Sequence, residues 1–396
     1  MLTVDNVETA PRERLIRGRD HWWFLGPGGI AKVYQHHLDS DGSLLPKAEQ
    51  FLRDAGLYAL KSHTSYALTV LTSTDCNLGC GYCFQNTGQD LTGGNRPPRM
   101  AHARLTTEMI DRTLEFTGRQ MAAAGVDRLT VTLFGGEPLL NFRGCRELLA
   151  RAADYGLIGA LMVTNGVLLT PLIARELHDR GLTSIQITFD GEAGTHDTIR
   201  VRRSGGGTFD SIVQNMMRAA DAAPLMWQLR VNVSHHNRTG INTLIEQLAD
   251  RLDRKRCLLY FAWVDDMGVG YANDLAPTEE LAVEFAGWNR RAAELGFIPY
   301  RPGPRQACAT CSYRDGRHGA VVHPDGVLSS CWATAGMPGW EVGDIDTGYL
   351  PATQTDGRWQ TCVGMGQSEQ NLAALDGFRD RSDAIILDDL AAAGKL

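Results

Sequence analysis

The period of hydrophobic and polar positions changes several times along this chain, and the changes mark its parts. From Tyr66 onward, short β-rich runs alternate with stretches of helical spacing. Strands are predicted over Tyr66 to Thr74, Arg128 to Phe134, Ala160 to Thr164, Ser184 to Phe189, Leu229 to Ser234 and Cys257 to Val264. Helices fall between them, over Thr106 to Ala124, Arg143 to Asp154, Pro171 to Arg180, Phe209 to Ala220 and Ile241 to Arg254. Six strand–helix repeats in roughly 200 residues imply an α/β fold with a parallel sheet and right-handed crossovers. Such a sheet either closes part-way into an incomplete barrel or stays open and doubly wound, and periodicity does not choose. Ahead of it, Trp22 to Leu25 and Ala31 to Tyr34 read as two short strands, and Leu45 to Gly56 as a helix. Beyond it, Thr278 to Leu295 is one more helix, and Asn371 to Leu396 a helical, acidic tail.

With 43% hydrophobic and 21% charged residues among 396, the chain has the make-up of a folded globular protein. A net charge of −7 argues against a dedicated nucleic-acid binder. No apolar run of about 18 residues occurs, so no transmembrane helix is expected. Met1 to Arg17 carries Asp5, Glu8 and Glu13 where a secretory signal would be apolar. A cytoplasmic protein without a membrane partner follows, in a compartment where thiols stay reduced. Nine cysteines there call for metal or cluster ligation rather than disulfides.

Three of them, Cys76, Cys80 and Cys83, lie in the loop that leaves the first core strand, with C-x3-C-x2-C spacing. Three thiolates suit a cubane of four irons, because one iron then keeps an open position for chemistry. Gly79 and Gly81 allow the turns this needs. A zinc site or unrelated cysteines are the competing readings. The motif, with Tyr82 beside its third cysteine, resembles that of the radical S-adenosylmethionine (SAM) superfamily. The resemblance implies a partial (β/α)6 TIM-type barrel, a SAM-binding [4Fe–4S] cluster, and reductive cleavage of SAM to a 5′-deoxyadenosyl radical.

Further elements at strand ends fit the same family. Phe134-Gly135-Gly136-Glu137-Pro138 is similar to its glycine-glycine-glutamate-proline element, which contacts the SAM amino group. Thr164 and Asn165 end the third strand. Thr188 and Asp190 end the fourth and resemble a serine-leucine-aspartate-glycine element. His196-Asp197-x-x-Arg200, leading to Gly207-Thr208-Phe209-Asp210, is similar to a stretch of peptide-modifying members, with Arg200 or Arg202 as partner of the SAM carboxylate. Each of these also has an ordinary reading as a turn or a solvated charge.

Cys308, Cys311, Cys331 and Cys362 lie beyond the core. With Val322-His323-Pro324-Asp325-Gly326 they resemble the start of a SPASM or twitch domain, which implies one auxiliary [4Fe–4S] cluster; a four-thiolate zinc knuckle is the rival. The later run of closely spaced cysteines of a full SPASM domain is missing. Cys145 and Cys257 read as small buried hydrophobes. The resulting division is 1–62 as a cap or short leader-binding segment, 63–270 as the radical SAM core, 271–305 as a bridging helix, 306–366 as a loop-rich auxiliary-cluster domain and 367–396 as the tail.

The resemblance implies an enzyme that crosslinks, oxidises or epimerises a ribosomal precursor peptide, supplied with electrons by a flavodoxin or ferredoxin. Asp265 or Asp266, after the sixth strand, is the candidate general base. A twitch-type dehydrogenase of small molecules is the second enzyme reading, and a non-catalytic metal-binding redox sensor the reading from another class.

Overall fold

Six parallel strands form the centre of the molecule, as the alternation implies. The computed structural model describes residues 13–60, 62–83, 85, 100–264, 273–304, 311–359 and 369–396. The central strands are β4 (Tyr66–Ser73), β5 (Leu129–Gly135), β6 (Leu157–Val163), β7 (Leu182–Phe189), β8 (Met226–Val233) and β9 (Cys257–Trp263), adjacent in chain order. Leu68, Val70, Val131, Leu133, Ile185, Ile187, Leu229 and Val231 are buried on the face covered by helices. The period of two leaves the alternate residues for the inner face of a partial (β/α)6 TIM-type barrel.

Local chemistry starts the crossover helices where the sequence says. The Thr106 side chain accepts from the Met109 amide at the start of the Thr107–Ala124 helix, and Thr170 accepts from Ile173 ahead of Pro171–His178. Gly125 stops the first of these at φ 68°, in the left-handed region.

Residues 319–349 do not stand apart from the core. The strands β10 (Gly319–Val322), β11 (Val327–Ser329), β12 (Glu341–Asp344) and β13 (Gly348–Tyr349) extend the barrel into a ten-stranded sheet. β10 lies parallel to β4, with Gly319 opposite Ala67 and Val322 opposite Val70. Four short strands thus run through the stretch expected to be loop-rich, with turns and irregular segments between them. Strands of two to four residues show too few repeats to read as periodic.

Ahead of the core, β1 (Arg14–Arg17), β2 (Trp22–Gly26) and β3 (Gly29–Val33) form an antiparallel sheet. β1 was not among the expected strands, because four residues flanked by arginines carry little pattern. The sheet packs through Ile16, Trp23 and Leu25 on Ala384 and Leu387 of the long helix Glu369–Ala392. Buried Arg14 reaches Asp380 at 2.7 Å and Asp383 at 2.6 Å, and the Trp23 indole N–H donates to Asp388 at 2.9 Å. The acidic tail of the sequence is therefore the clasp for the first sheet.

Candidate active site

At the end of β4 the chain enters the cysteine loop, and three other segments hold that loop in place. The first is the Gly135-Gly136 turn after β5. A Cβ at Gly135, whose φ is +130°, would lie 2.1 Å from the Ser73 carbonyl oxygen, and one at Gly136 2.4 Å from that of Asp75. The paired glycines thus let two backbones touch. The second is the segment after the His-Asp-x-x-Arg stretch. Gly79 N–H donates to Val201 O at 2.9 Å and Arg203 N–H to Asn77 O at 3.0 Å, a bridge that straps Leu78 to Arg202. Nothing in the sequence signals this pairing.

The third is the set of Asp190, Arg200 and Asn232, which grips the loop at Tyr82. The Tyr82 hydroxyl donates to Asp190 Oδ2 at 2.7 Å and accepts from Arg200 Nη1 at 2.8 Å and Asn232 Nδ2 at 3.1 Å. One donor and two acceptor positions are a hydroxyl's full capacity. Burial, reinforced by Asp190, holds the phenol well above its ordinary pKa, so it remains a donor. Asp190 also pairs with Arg200 at 3.2 Å; burial pushes its carboxyl up and Arg200 opposes the push.

Glu137 is fully buried. Its carboxylate accepts from Leu139 N at 2.9 Å, Thr164 Oγ1 at 2.6 Å and Asn165 N at 2.8 Å, and so joins the ends of β5 and β6. Asn165 in turn donates through Nδ2 to Asn77 Oδ1 at 2.7 Å and reaches Cys76 Sγ at 3.8 Å. Thr188 stands opposite Arg230 of β8.

His196 and Asp197 are structural. Asp197 Oδ1 accepts from the Thr208 and Phe209 amides, which opens the Phe209–Ala222 helix. The two arginine candidates separate. Arg200 is buried beside Tyr82, whereas Arg202 donates to Gly207 O in its own loop and to Ser211 Oγ in the first turn of the next helix. Asn232 and Arg230 were not singled out, although Gln228, Arg230 and Asn232 alternate with Trp227, Leu229 and Val231, a period-two pattern that marks them as one face.

Cys311 and Cys331 both act on the charge of Tyr313, whose hydroxyl lies 2.8 Å from Thr69 Oγ1 on β4. Trp332 meets Phe134 edge-on at 5.8 Å, one residue before the glycine pair. Asp265, Asp266, Cys308 and Cys362 lie outside the described residues.

Residues 70–247, which hold the loop, the glycine pair and the network around Tyr82, match the Radical SAM superfamily. This segment is a radical SAM domain. The GTP 3′,8-cyclase of Synechococcus sp. (strain WH7803) is 29% identical over 69% of this chain and 74% of its own length. The sporulation killing factor maturation protein SkfB of Bacillus subtilis (strain 168) is 25% identical over 48% of this chain, and the match spans 42% of SkfB. The solved structure "Native anSMEcpe with bound AdoMet and Cp18Cys peptide" has the same fold, with a TM-score of 0.60 at 14% identity over 84% of this chain and 100% of that one.

The superfamily's cofactors are a [4Fe–4S] cluster and SAM, and the residues present fit them. Among the described residues, no three His, Cys, Asp or Glu side chains gather closely enough to hold a single metal ion. Cys76 feels the charge of Cys80 and Cys83, and three neighbouring thiolates suit a cubane that keeps one iron open. Cys76 Sγ accepts from Leu78 N–H at 3.5 Å, the kind of donor that supports a ligating thiolate. Burial pushes the Cys80 thiol up to about 12, with nearby Arg200 opposing, so iron must displace its proton.

Proposed function

We propose that this radical SAM enzyme modifies a ribosomal precursor peptide, abstracting hydrogen from a side chain or an α-carbon so that a crosslink, an oxidation or an epimerisation follows. The supporting observation is the Trp332–Phe134 contact, which sets the Cys311 and Cys331 segment beside the turn that holds the cysteine loop. An auxiliary cluster held by Cys308, Cys311, Cys331 and Cys362 would then stand next to the substrate side of the barrel.

When bound, the cluster held by Cys76, Cys80 and Cys83 and its SAM supply a 5′-deoxyadenosyl radical, given one electron from a flavodoxin or ferredoxin. The chain's own part is placement. Tyr82, Glu137, Asn165 and Arg200 fix the loop and the strand ends around it, with Gly135, Gly136, Thr164, Thr188, Asp190 and Arg202 completing the SAM-side set. Asp265 or Asp266 would accept the proton of an oxidation. Among the described residues β3 pairs with β2 alone, and a leader strand could add at its other edge. The cyclase relative keeps a nucleotide substrate as the second reading.

The test is anaerobic reconstitution with iron and sulfide, then dithionite, SAM, and either a precursor peptide encoded beside this chain or GTP. About eight irons per chain, 5′-deoxyadenosine and a mass change in the peptide are expected. A changed nucleotide with an untouched peptide would replace the reading, and about four irons would remove the auxiliary cluster.

A further inference from the structure

Sheet alternation buries Trp227, Leu229 and Val231 against the helices and turns Arg230 to the inner face of the barrel. Its guanidinium is aimed. Nε donates to Asn232 Oδ1 at 2.7 Å, and Asn232 Nδ2 donates onward to the Tyr82 hydroxyl at 3.1 Å. Arg230 therefore stands one inward-facing position deeper in the barrel than the residue that touches the cysteine loop. Thr188 and Tyr260 occupy the same rung on the neighbouring strands.

No carboxylate among the described residues forms an ion pair with Arg230. Asp190 senses its charge but is committed to Arg200 at 3.2 Å. Elsewhere on the inner face, Leu71, Phe134 and Val321 cluster with half-buried Val163. Among the described residues, the inner face thus offers an apolar wall and, at Arg230, an oriented cation that hydrogen-bonds Tyr260 and Asn232 and has no acidic partner for its terminal nitrogens. A guanidinium's planar fork matches a carboxylate, and leaving it without one in a half-buried site is unfavourable.

We propose that Arg230 receives a carboxylate of the substrate, so that the peptide carries an acidic side chain or a free C-terminus next to the residue that loses hydrogen. This rests on the reading of the site as peptide-modifying. SAM also carries a carboxylate, and the experiment must separate the two.

The probes are three matched pools of tetrapeptides: blocked peptides containing Asp or Glu, their Asn and Gln counterparts, and those counterparts with a free C-terminal carboxylate. Each is incubated with the reconstituted full chain loaded with SAM, and the retained peptides are counted by mass spectrometry. A carboxylate pool should be retained about tenfold better than the amide pool, the size of one charge-assisted hydrogen bond. Arg230→Gln should abolish that preference with iron content and SAM affinity unchanged, and Arg230→Lys should keep part of it. Equal retention of all pools by the parent overturns the proposal, as does a preference that survives in Arg230→Gln. A SAM affinity about tenfold weaker in Arg230→Gln overturns it too, by giving the carboxylate to SAM. Should Arg230→Gln fail to take up iron, the parent's comparison of pools and Arg230→Lys still decide. A parent that cleaves SAM and retains no peptide sinks the peptide reading and this proposal together; a parent that forms no 5′-deoxyadenosine fails at the earlier step.

Discussion

The Tyr82 hydroxyl donates to the Asp190 carboxylate at 2.7 Å, tying the loop that carries three cysteines to the end of β7. The bond spans 108 residues of sequence, and both groups are withdrawn from water. Tyr82→Phe keeps the ring and deletes the donor, leaving Asp190 with Arg200 and Asn232 with an unmet N–H. A buried group stripped of its partner costs about 1–3 kcal/mol. We expect the iron-free Tyr82→Phe protein to lose that much unfolding free energy, seen as a lower urea midpoint at an unchanged slope. An unchanged midpoint would show that the network adds nothing to the fold.

Gly136 tests the loop from the other side. Alanine there places a methyl 2.4 Å from the Asp75 backbone oxygen, and backbone cannot rotate away as a side chain would. Forcing extra volume into a tight contact costs about 1–3 kcal/mol. The cysteine loop should move, so Gly136→Ala should keep its far-ultraviolet circular dichroism but take up less iron on reconstitution than the parent. Equal iron uptake would show that the close approach is not needed to shape the loop.

The core was legible in the sequence because most of its strands bury alternate residues and several of its helices start at a residue whose side chain caps them. Thr106 before Thr107–Ala124 and Pro171 opening its helix are cases where local chemistry and tertiary position agree. The cysteine loop was legible for a different reason, since three thiols at fixed spacing serve few purposes. What was missed has no local signature. The strap of Val201 and Arg203 onto Asn77 and Gly79 pairs residues more than 120 positions apart and leaves no trace in either segment. Arg14 and Asp383 likewise read as two surface charges until the fold buries them together.

Arg14 offers a test of that clasp. It is 8% exposed, and its guanidinium meets Asp380, Asp383 and the Gly303 carbonyl. Breaking a buried pair from one side strands the other charge, at about 3–5 kcal/mol. Arg14→Met should therefore loosen β1–β3 from the helix Glu369–Ala392 while the barrel stays folded. Hydrogen exchange should speed up at Ile16, Trp23 and Leu25 by at least tenfold, with Leu229 and Val231 unchanged. Uniform acceleration across all five would mean that sheet and barrel unfold as one unit.

His196 supplies a pH dependence whose sign follows from its bonds. Its Nδ1 accepts the Asp190 amide at 3.3 Å, and an amide N–H can only donate. Its Nε2 faces Thr208 Oγ1 at 3.1 Å; that hydroxyl donates to Arg200 O at 2.9 Å and so takes its second bond from Nε2–H. The first contact requires the neutral ring, and the second, a donation from Nε2–H, fixes which nitrogen carries its proton. Burial, aided by Arg200, holds its pKa well below the ordinary 6.5. The unfolded chain therefore binds a proton below about 6.5 that the folded chain refuses, and stability falls as pH drops through that window. The slope for one such group is about 1.4 kcal/mol per pH unit. Urea midpoints measured from pH 7.5 to 5 should fall more steeply for the parent than for His196→Gln, which cannot titrate. Parallel curves would show that the ring takes its proton in the folded state and that the Asp190 amide contact is not kept.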